Sequence, residues 1–141
     1  MIIIFDLDHT ILNTEKLKKD MVGIFGTSLK QFNNDYQKLF RDKKTPYSPY
    51  KHIRFLKKEK KISSVVACDK RMDALVKNIK KYLYPKALEV LEKFKRRGDK
   101  VILMSVGDLK WQAKKINALK IKKYFNRVII IERKKCNNLE F

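Results

Sequence analysis

The chain opens with the stretch MIIIFDLDHTIL at residues 1–12, in which an apolar run meets two carboxylates. A short, uninterrupted apolar run is typical of a strand that is buried on both faces of a parallel sheet. Asp6 and Asp8 follow at the carboxyl end of that strand, the edge at which open α/β sheets bind their ligands. Because two acids placed so close together repel each other, the pair indicates a site for a cation or a phosphoryl group. A plain turn, with Asp and Thr ending the strand, is the simpler alternative.

The second half of the chain alternates between apolar runs and amphipathic stretches. Residues 101–104 (VILM) and 128–131 (VIII) predict two further buried strands, and residues 109–119 predict the helix between them. A helix that starts near Pro85 and ends at Gly98 precedes the second strand. Strands that alternate with helices predict right-handed crossovers and a parallel sheet with helices on both faces. The predicted fold is therefore α/β, a three-layer Rossmann-like parallel sheet.

Residues 15–82 form a different kind of region, which is predicted to be almost entirely helical. Prolines at 46 and 49 interrupt it, and residues 62–68 also fit a strand. The block lies between the first strand and the helix that leads to the second. The predicted division is an α/β core made of residues 1–13 and 84–141, with a helical insertion at 14–83.

The opening motif resembles the first motif of the haloacid dehalogenase superfamily, an apolar strand followed by Asp-x-Asp-x-Thr. The resemblance implies that Asp6 is the nucleophile, that Asp8 is the general acid and base, and that Thr10 holds the loop geometry. His9 stands where most relatives carry a glycine or another small residue, and we expect it at the mouth of the site. The resemblance also implies that residues 14–83 are a mobile helical cap that closes over the site and sets the substrate.

The region from residue 84 to residue 125 resembles the second motif of the superfamily and its surroundings, including Gln112. Ser105 ends the second predicted strand, where its hydroxyl can donate a hydrogen bond to a phosphoryl oxygen. The backbone N–H groups near Val106 and Gly107 lead into a helix N-terminus, which is a natural anion site. The alternative is that Ser105 and Asp108 merely cap that helix. Val106 stands where many relatives have Asn.

The last two motifs are less complete. The third is a lysine just after the third strand, for which spacing favours Lys134 and leaves Lys135 as an alternative. The fourth supplies acids that complete a magnesium site, and it is absent. Mg²⁺ would then be held by Asp6 and by the backbone carbonyl of Asp8, with water filling the other positions. The predicted core is thus truncated at its C-terminus. Its first strand becomes an apolar edge, which favours self-association or a completing partner.

The composition restricts the remaining function classes. The formal net charge is +20, but the excess is mostly lysine spread over nearly every helix, which favours a general lysine bias over a dedicated nucleic-acid surface. We expect no membrane span and no signal peptide. Cys68 and Cys136 stand in unrelated contexts, which predicts free thiols in a reducing cytoplasm.

Together these features predict an Mg²⁺-dependent phosphatase that hydrolyses a small phosphate monoester through an aspartyl-phosphate. Two alternatives stay open. One is a catalytically incomplete remnant or fragment that acts by binding, and the other is a basic nucleic-acid-binding protein.

Overall fold

The computed structural model of the protein describes residues 1–132. Strands β1 (Ile2–Phe5), β2 (Lys100–Val106) and β3 (Arg127–Ile131) form a three-stranded parallel sheet in the order β1-β2-β3. The α/β fold predicted from the sequence is therefore confirmed. The second strand is longer than predicted at both ends, because residues on either side of its apolar run also pair with the neighbouring strands.

Within the described residues, six α-helices accompany the sheet. Five of them lie between β1 and β2 in the chain, and the first four form what we call the helical insertion: α1 (Thr14–Phe25), α2 (Leu29–Tyr36), α3 (Pro49–Lys58) and α4 (Val65–Lys77). A π-helical turn at Gln37–Arg41 continues α2, and a 3₁₀ turn at Ile79–Tyr82 closes the insertion. The crossover helices are α5 (Ala87–Arg96), which leads to β2, and α6 (Leu109–Leu119), which leads to β3 through a 3₁₀ turn at Lys122–Tyr124.

Local signals explain most of the helix ends. Asn13 caps α1 by accepting the N–H of Lys16 at 3.1 Å, and the predicted helix at 109–119 matches α6. The strand alternative at 62–68 is wrong, because Ser64 accepts the N–H of Ala67 and starts α4. The crossover helix α5 begins at Ala87 rather than at Pro85, since Lys86 between them has a left-handed backbone with φ of 65°.

One face of the sheet carries the core. Residues in register on neighbouring strands share a face, which puts Phe5, Leu103 and Val128 on the same side. These side chains belong to, or pack against, the main hydrophobic cluster. Phe94 of α5 stands over Phe5 at 5.9 Å between ring centroids. Ala113 and Ile116 of α6 share a small cleft with Val128 and Ile130 of β3.

Both crossover helices therefore cover the same face, whereas the sequence predicted helices on both faces. The physical reason is topological. Two consecutive right-handed crossovers that move the same way across a sheet bring both helices to one side. Within residues 1–132 the opposite face stays open, with Ile2 63% and Ile4 58% exposed on β1, which is the edge strand.

The helical insertion is not isolated from the α/β part. One continuous hydrophobic cluster contains Met21 and Ile53 of the insertion together with Leu103 and Ile116. On the surface, Lys51 of α3 forms an ion pair with Asp108 at 2.8 Å. In the part of the chain that the structure describes, none of the helices is both long and apolar enough to cross a bilayer.

Candidate active site

The loop after β1 folds back tightly on itself. Leu7 is fully buried, and its carbonyl oxygen accepts the N–H groups of Ile11 and Leu12, each at 3.0 Å. The Oδ1 atom of Asp6 accepts the N–H of Leu7 at 2.7 Å, while the Asp6 side chain itself stays exposed to solvent. The loop thus fixes the backbone of Asp6 and leaves its carboxylate accessible.

Asp8 is held far more firmly than Asp6. Its two carboxylate oxygens lie 2.7 and 2.9 Å from the Nζ atom of Lys115, and Gln112 Nε2 donates to Oδ2 at 3.0 Å. The Thr14 hydroxyl donates to Oδ1 at 2.9 Å. Burial alone would raise the pKa of the Asp8 carboxyl, but the charge of Lys115 and these hydrogen bonds outweigh burial and lower that pKa below its usual value. Asp8 is therefore an anion at neutral pH.

Lys115 is the most deeply buried charge of the site. It is only 2% exposed and projects from α6 toward the loop after β1. Burial lowers the pKa of Lys115, although the charges of Asp8 and Asp6 both act in the opposite direction. A buried cation beside two acids relieves the repulsion between them.

The resemblance implies that Thr10 holds the loop after β1, but in the structure Thr14 makes the contacts that hold it. The Thr14 hydroxyl accepts the N–H of His9 at 3.2 Å and donates to Asp8, whereas the Thr10 side chain is exposed. His9 has φ of 60°, the left-handed conformation that favours glycine. The exposed His9 is among the residues that line the cavity described below.

The end of β2 presents a second group of predicted residues. Ser105 is fully buried, and within residues 1–132 its Oγ atom has no hydrogen-bond partner. Asp108 caps α6 by accepting the N–H of Trp111 at 2.9 Å, so the capping interpretation holds for Asp108 and not for Ser105. The Ser105 hydroxyl is thus a buried donor without a partner in the described part of the chain.

Gly107 permits a close approach at this turn. A Cβ atom there would lie 2.5 Å from the Nε2 atom of Gln112. That nitrogen donates both to Asp8 and to the carbonyl oxygen of Val106, at 3.0 and 3.1 Å. Gly107 therefore keeps space for the contact that joins the ends of β1 and β2.

A cavity of about 1190 Å³ lies between the α/β part and the helical insertion. Its α/β side is lined by Asp8, Gly107, Gln112, Lys115 and Trp111, together with Val106. Its insertion side is lined mainly by aromatic and basic side chains. Asp6, Thr10 and Ser105 are not among its lining residues. Lys134 and Lys135 lie outside the described residues.

The donor set suits a magnesium ion only in part. The Asp6 carboxylate and the Asp8 backbone carbonyl are hard oxygen donors of the kind that Mg²⁺ takes. Within residues 1–132 there is no group of three or more His, Cys, Asp or Glu side chains that could hold a metal. Because Mg²⁺ readily keeps several waters, these two donors fit an ion that is bound mostly through water.

Sequence reasoning missed Lys115 and Thr14 as residues of the site. A usable signal existed for Lys115, since it lies on the stripe of α6 that also contains Trp111, Gln112, Ile116 and Leu119, all of them buried. A lysine within an otherwise buried stripe needs a partner of opposite charge. Thr14 carried no comparable signal, because a threonine at the start of a helix is ordinary.

The family model of haloacid dehalogenase-like hydrolases matches residues 3–137. The chain belongs to this family. No curated protein matches the chain.

Solved structures show the same fold. A haloacid dehalogenase-like hydrolase from Burkholderia xenovorans superposes with a TM-score of 0.65 at 20% identity, over 92% of this chain and 60% of that one. A structure described as a dehalogenase gives 0.56 at 16% identity, over 90% of this chain and 60% of the other. A haloacid dehalogenase-like family hydrolase from Xanthomonas campestris gives 0.54 at 13% identity, over 93% of this chain and 62% of that one. The chain thus spans about 60% of the length of these relatives.

Proposed function

We propose that this hydrolase-family chain is an Mg²⁺-dependent phosphatase that hydrolyses a small phosphate monoester through an aspartyl-phosphate on Asp6. One observation carries the proposal: an accessible Asp6 carboxylate stands two residues from an Asp8 that Lys115, Gln112 and Thr14 hold at the wall of a cavity. One carboxylate is free to react, and the other is fixed where it can move a proton.

The nucleophile of this mechanism is the free Asp6 oxygen, which attacks phosphorus while the bond from phosphorus to the alcohol oxygen breaks. Asp6 Oδ1 already accepts the Leu7 N–H, which leaves Oδ2 for the attack. The Ser105 hydroxyl and the Val106 N–H would bind oxygens of the transferring group. The Gly107 N–H, which the sequence also offered for this role, instead donates to the carbonyl oxygen of Ile131 at 3.0 Å. Lys134, or the neighbouring Lys135, would neutralise their charge. Mg²⁺, held by Asp6 and the Asp8 carbonyl, would screen the negative charges of substrate and nucleophile.

Asp8 would manage the protons in this mechanism. The protonated form of Asp8, a minor fraction at neutral pH, would donate its proton to the departing alcohol oxygen. The resulting carboxylate would take a proton back from the water that attacks the aspartyl-phosphate, which regenerates Asp6 and releases phosphate. An alcohol leaves poorly as an alkoxide and needs that proton, whereas a halide leaves without one. The presence of Asp8 therefore favours a phosphate ester over a haloacid as the substrate.

A second candidate is a catalytically incomplete member that binds phosphate compounds without turning them over. The observation in its favour is the ion pair between Asp8 and Lys115, which holds Asp8 ionised at neutral pH and makes it a weak proton donor. Nucleic-acid binding is a third candidate and depends only on the net charge of +20. Within residues 1–132 the buried Cys68 is a free thiol, which is compatible with a cytoplasmic location, and Cys136 lies outside the described residues.

The test is hydrolysis of 4-nitrophenyl phosphate in the presence of Mg²⁺ by the wild type, by Asp6→Asn and by Glu89→Gln. Glu89 is an exposed carboxylate on α5 and serves as the matched control. We expect turnover by the wild type and the control, and a loss of at least about 10³-fold in Asp6→Asn. A folded wild type without turnover, yet with saturable phosphate binding, would favour the second candidate. Steeply salt-dependent nucleic-acid binding that Asp6→Asn leaves unchanged would favour the third.

A further inference from the structure

The insertion side of the cavity is built from aromatic rings. Phe32, Tyr36, Phe40 and Tyr47 all line it, and they contact one another: Tyr36 and Tyr47 lie 5.3 Å apart between ring centroids, and Phe40 and Tyr47 lie 4.8 Å apart in an edge-to-face arrangement. We call these four residues the aromatic wall. Trp111 of α6 lines the same cavity from the α/β side.

Two buried polar residues, His52 and Asp35, support the aromatic wall. His52 is fully buried, and its ring packs against Phe32 at 5.1 Å and Phe40 at 5.9 Å. Its Nδ1 atom lies 3.3 Å from the Tyr47 hydroxyl, and its Nε2 atom lies 3.5 Å from the carboxylate of Asp35. The Tyr47 hydroxyl therefore contacts His52, while the Tyr47 ring lines the cavity. The wall is fixed in shape before any ligand arrives, which lowers the entropy lost on binding.

The backbone at the wall is also specialised. The π-helical turn at Gln37–Arg41 carries Phe40 and Arg41, which both line the cavity. Its hydrogen bonds span five residues, as in the bond from the Asp42 N–H to the Gln37 carbonyl oxygen at 2.8 Å. Such turns are uncommon and occur frequently at functional sites. Here the turn supplies one aromatic and one cationic side chain to the cavity.

We infer that the substrate is a phosphate monoester whose alcohol carries a flat aromatic ring, with the phosphate at the end of β1 and the ring against the aromatic wall. This inference rests on the proposed phosphatase function, and it names the substrate class that the site selects. Polar side chains such as Lys18, Arg41 and Lys44 also line the insertion side, but its rings contact one another and form a continuous aromatic surface. Edge-to-face and offset-stacked contacts reward a flat ring over an aliphatic group of similar size.

The test separates binding from turnover by using phosphonates, whose carbon–phosphorus bond is not hydrolysed. The ligands are 2-phenylethylphosphonate, 2-cyclohexylethylphosphonate and ethylphosphonate, which share one head group. Trp111 is the only tryptophan of the chain and lines the cavity, so its fluorescence reports binding directly. We expect the phenyl compound to bind at least roughly tenfold more tightly than the ethyl compound, and several-fold more tightly than the cyclohexyl compound.

Two variants test whether the preference for the phenyl compound depends on the aromatic wall. Tyr36→Ala removes a ring that is already 38% exposed, so that the fold tolerates the change. Phe55→Ala, on α3 of the same insertion but outside the cavity lining, is the control. Tyr36→Ala is expected to reduce the phenyl preference about threefold or more, and Phe55→Ala to leave it unchanged.

The outcomes distinguish the two proposals. Equal binding of the phenyl and ethyl compounds, or of the phenyl and cyclohexyl compounds, overturns the inference, and so does an unchanged preference in Tyr36→Ala. Phenyl selectivity in a protein that hydrolyses neither 2-phenylethyl phosphate nor 4-nitrophenyl phosphate keeps the aromatic site and rejects the phosphatase. Hydrolysis of ethyl and 2-phenylethyl phosphate with the same kcat/KM keeps the phosphatase and rejects the aromatic site.

Discussion

The two sides of the cavity are built on opposite principles. On the α/β side, Asp8, Lys115 and Gln112 are joined by short polar contacts, and their positions follow from strand ends and a helix start. On the insertion side, aromatic rings pack around the buried His52, and their positions follow from packing between separate helices. Under the proposed function, the polar frame positions the reacting groups and the aromatic wall opposite it selects the substrate.

The largest expected effect on stability comes from breaking the polar frame at Lys115. Lys115→Met leaves the Asp8 carboxylate partly buried without its cation and should lower the free energy of unfolding by about 3 kcal/mol. Its neighbour Lys114 forms an exposed pair with Asp73, so Lys114→Met should cost less than about 1 kcal/mol. Urea denaturation of both variants measures the difference.

A double-mutant cycle sharpens this prediction. If Lys115 acts through Asp8, the losses in Lys115→Met and Asp8→Asn should not add, and the double variant should be more stable than their sum by about 1–3 kcal/mol. Strict additivity would mean that the ion pair does not organise the α/β side of the cavity.

The next effect concerns the space kept by Gly107. Gly107→Ala forces Gln112 away from Asp8 and should destabilise the protein by about 1–2 kcal/mol, with a loss of turnover if the phosphatase proposal holds. Gly23→Ala is the matched change within α1 of the insertion, where a Cβ meets nothing within 4 Å. It should stabilise the protein by about 0.5–1 kcal/mol. Thermal unfolding of the two variants should therefore shift in opposite directions.

Acidification should weaken the two sides at different pH values. Burial lowers the pKa of His52 despite its contact with Asp35, so its contribution to stability is present above pH 6.5 and is lost as the pH falls below that value. The pKa of Asp8 is also lowered, but from 3.8, so its contribution is lost only at still lower pH. His52→Gln should flatten the upper part of the stability–pH curve, and Asp8→Asn only the lower part. The reverse pattern in urea titrations would contradict these assignments.

The smallest effect is expected at the mouth of the cavity. His9 adopts a left-handed backbone, which costs a non-glycine residue about 1 kcal/mol. His9→Gly should therefore stabilise the protein by up to about that amount in thermal unfolding and leave turnover of a small phosphate ester unchanged. A large loss of turnover would make His9 part of the chemistry.

The sequence predicted one side of the cavity much better than the other. Asp6, Asp8 and Gly107 lie next to strand ends, and local pattern locates strand ends well. Lys115 was missed because its partner Asp8 is distant in the chain, and only the crossing of α6 behind the loop brings them together. The sequence predicted helices on both faces, whereas within residues 1–132 both crossover helices cover one face, because pattern reveals each helix but not the direction in which the strands progress across the sheet.

The insertion side was beyond sequence reasoning for the same reason. Periodicity marked Phe32, Tyr36 and Phe40 as one apolar helix face, which a simple core would explain equally well. Their role as a cavity wall depends on the π-helical turn and on contacts with Tyr47 and His52, which lie on a later segment. Such contacts between segments leave no periodic signature.

The measurement that tests the central claim most directly is covalent trapping on Asp6. The protein is mixed with 4-nitrophenyl phosphate and Mg²⁺, quenched in acid within one turnover, and digested for peptide mass analysis. We expect a phosphoryl group on the peptide that contains Asp6, absent in Asp6→Asn and present in Glu89→Gln. Steady release of 4-nitrophenol without any phosphorylated Asp6, or equal turnover by Asp6→Asn, would contradict the aspartyl-phosphate mechanism.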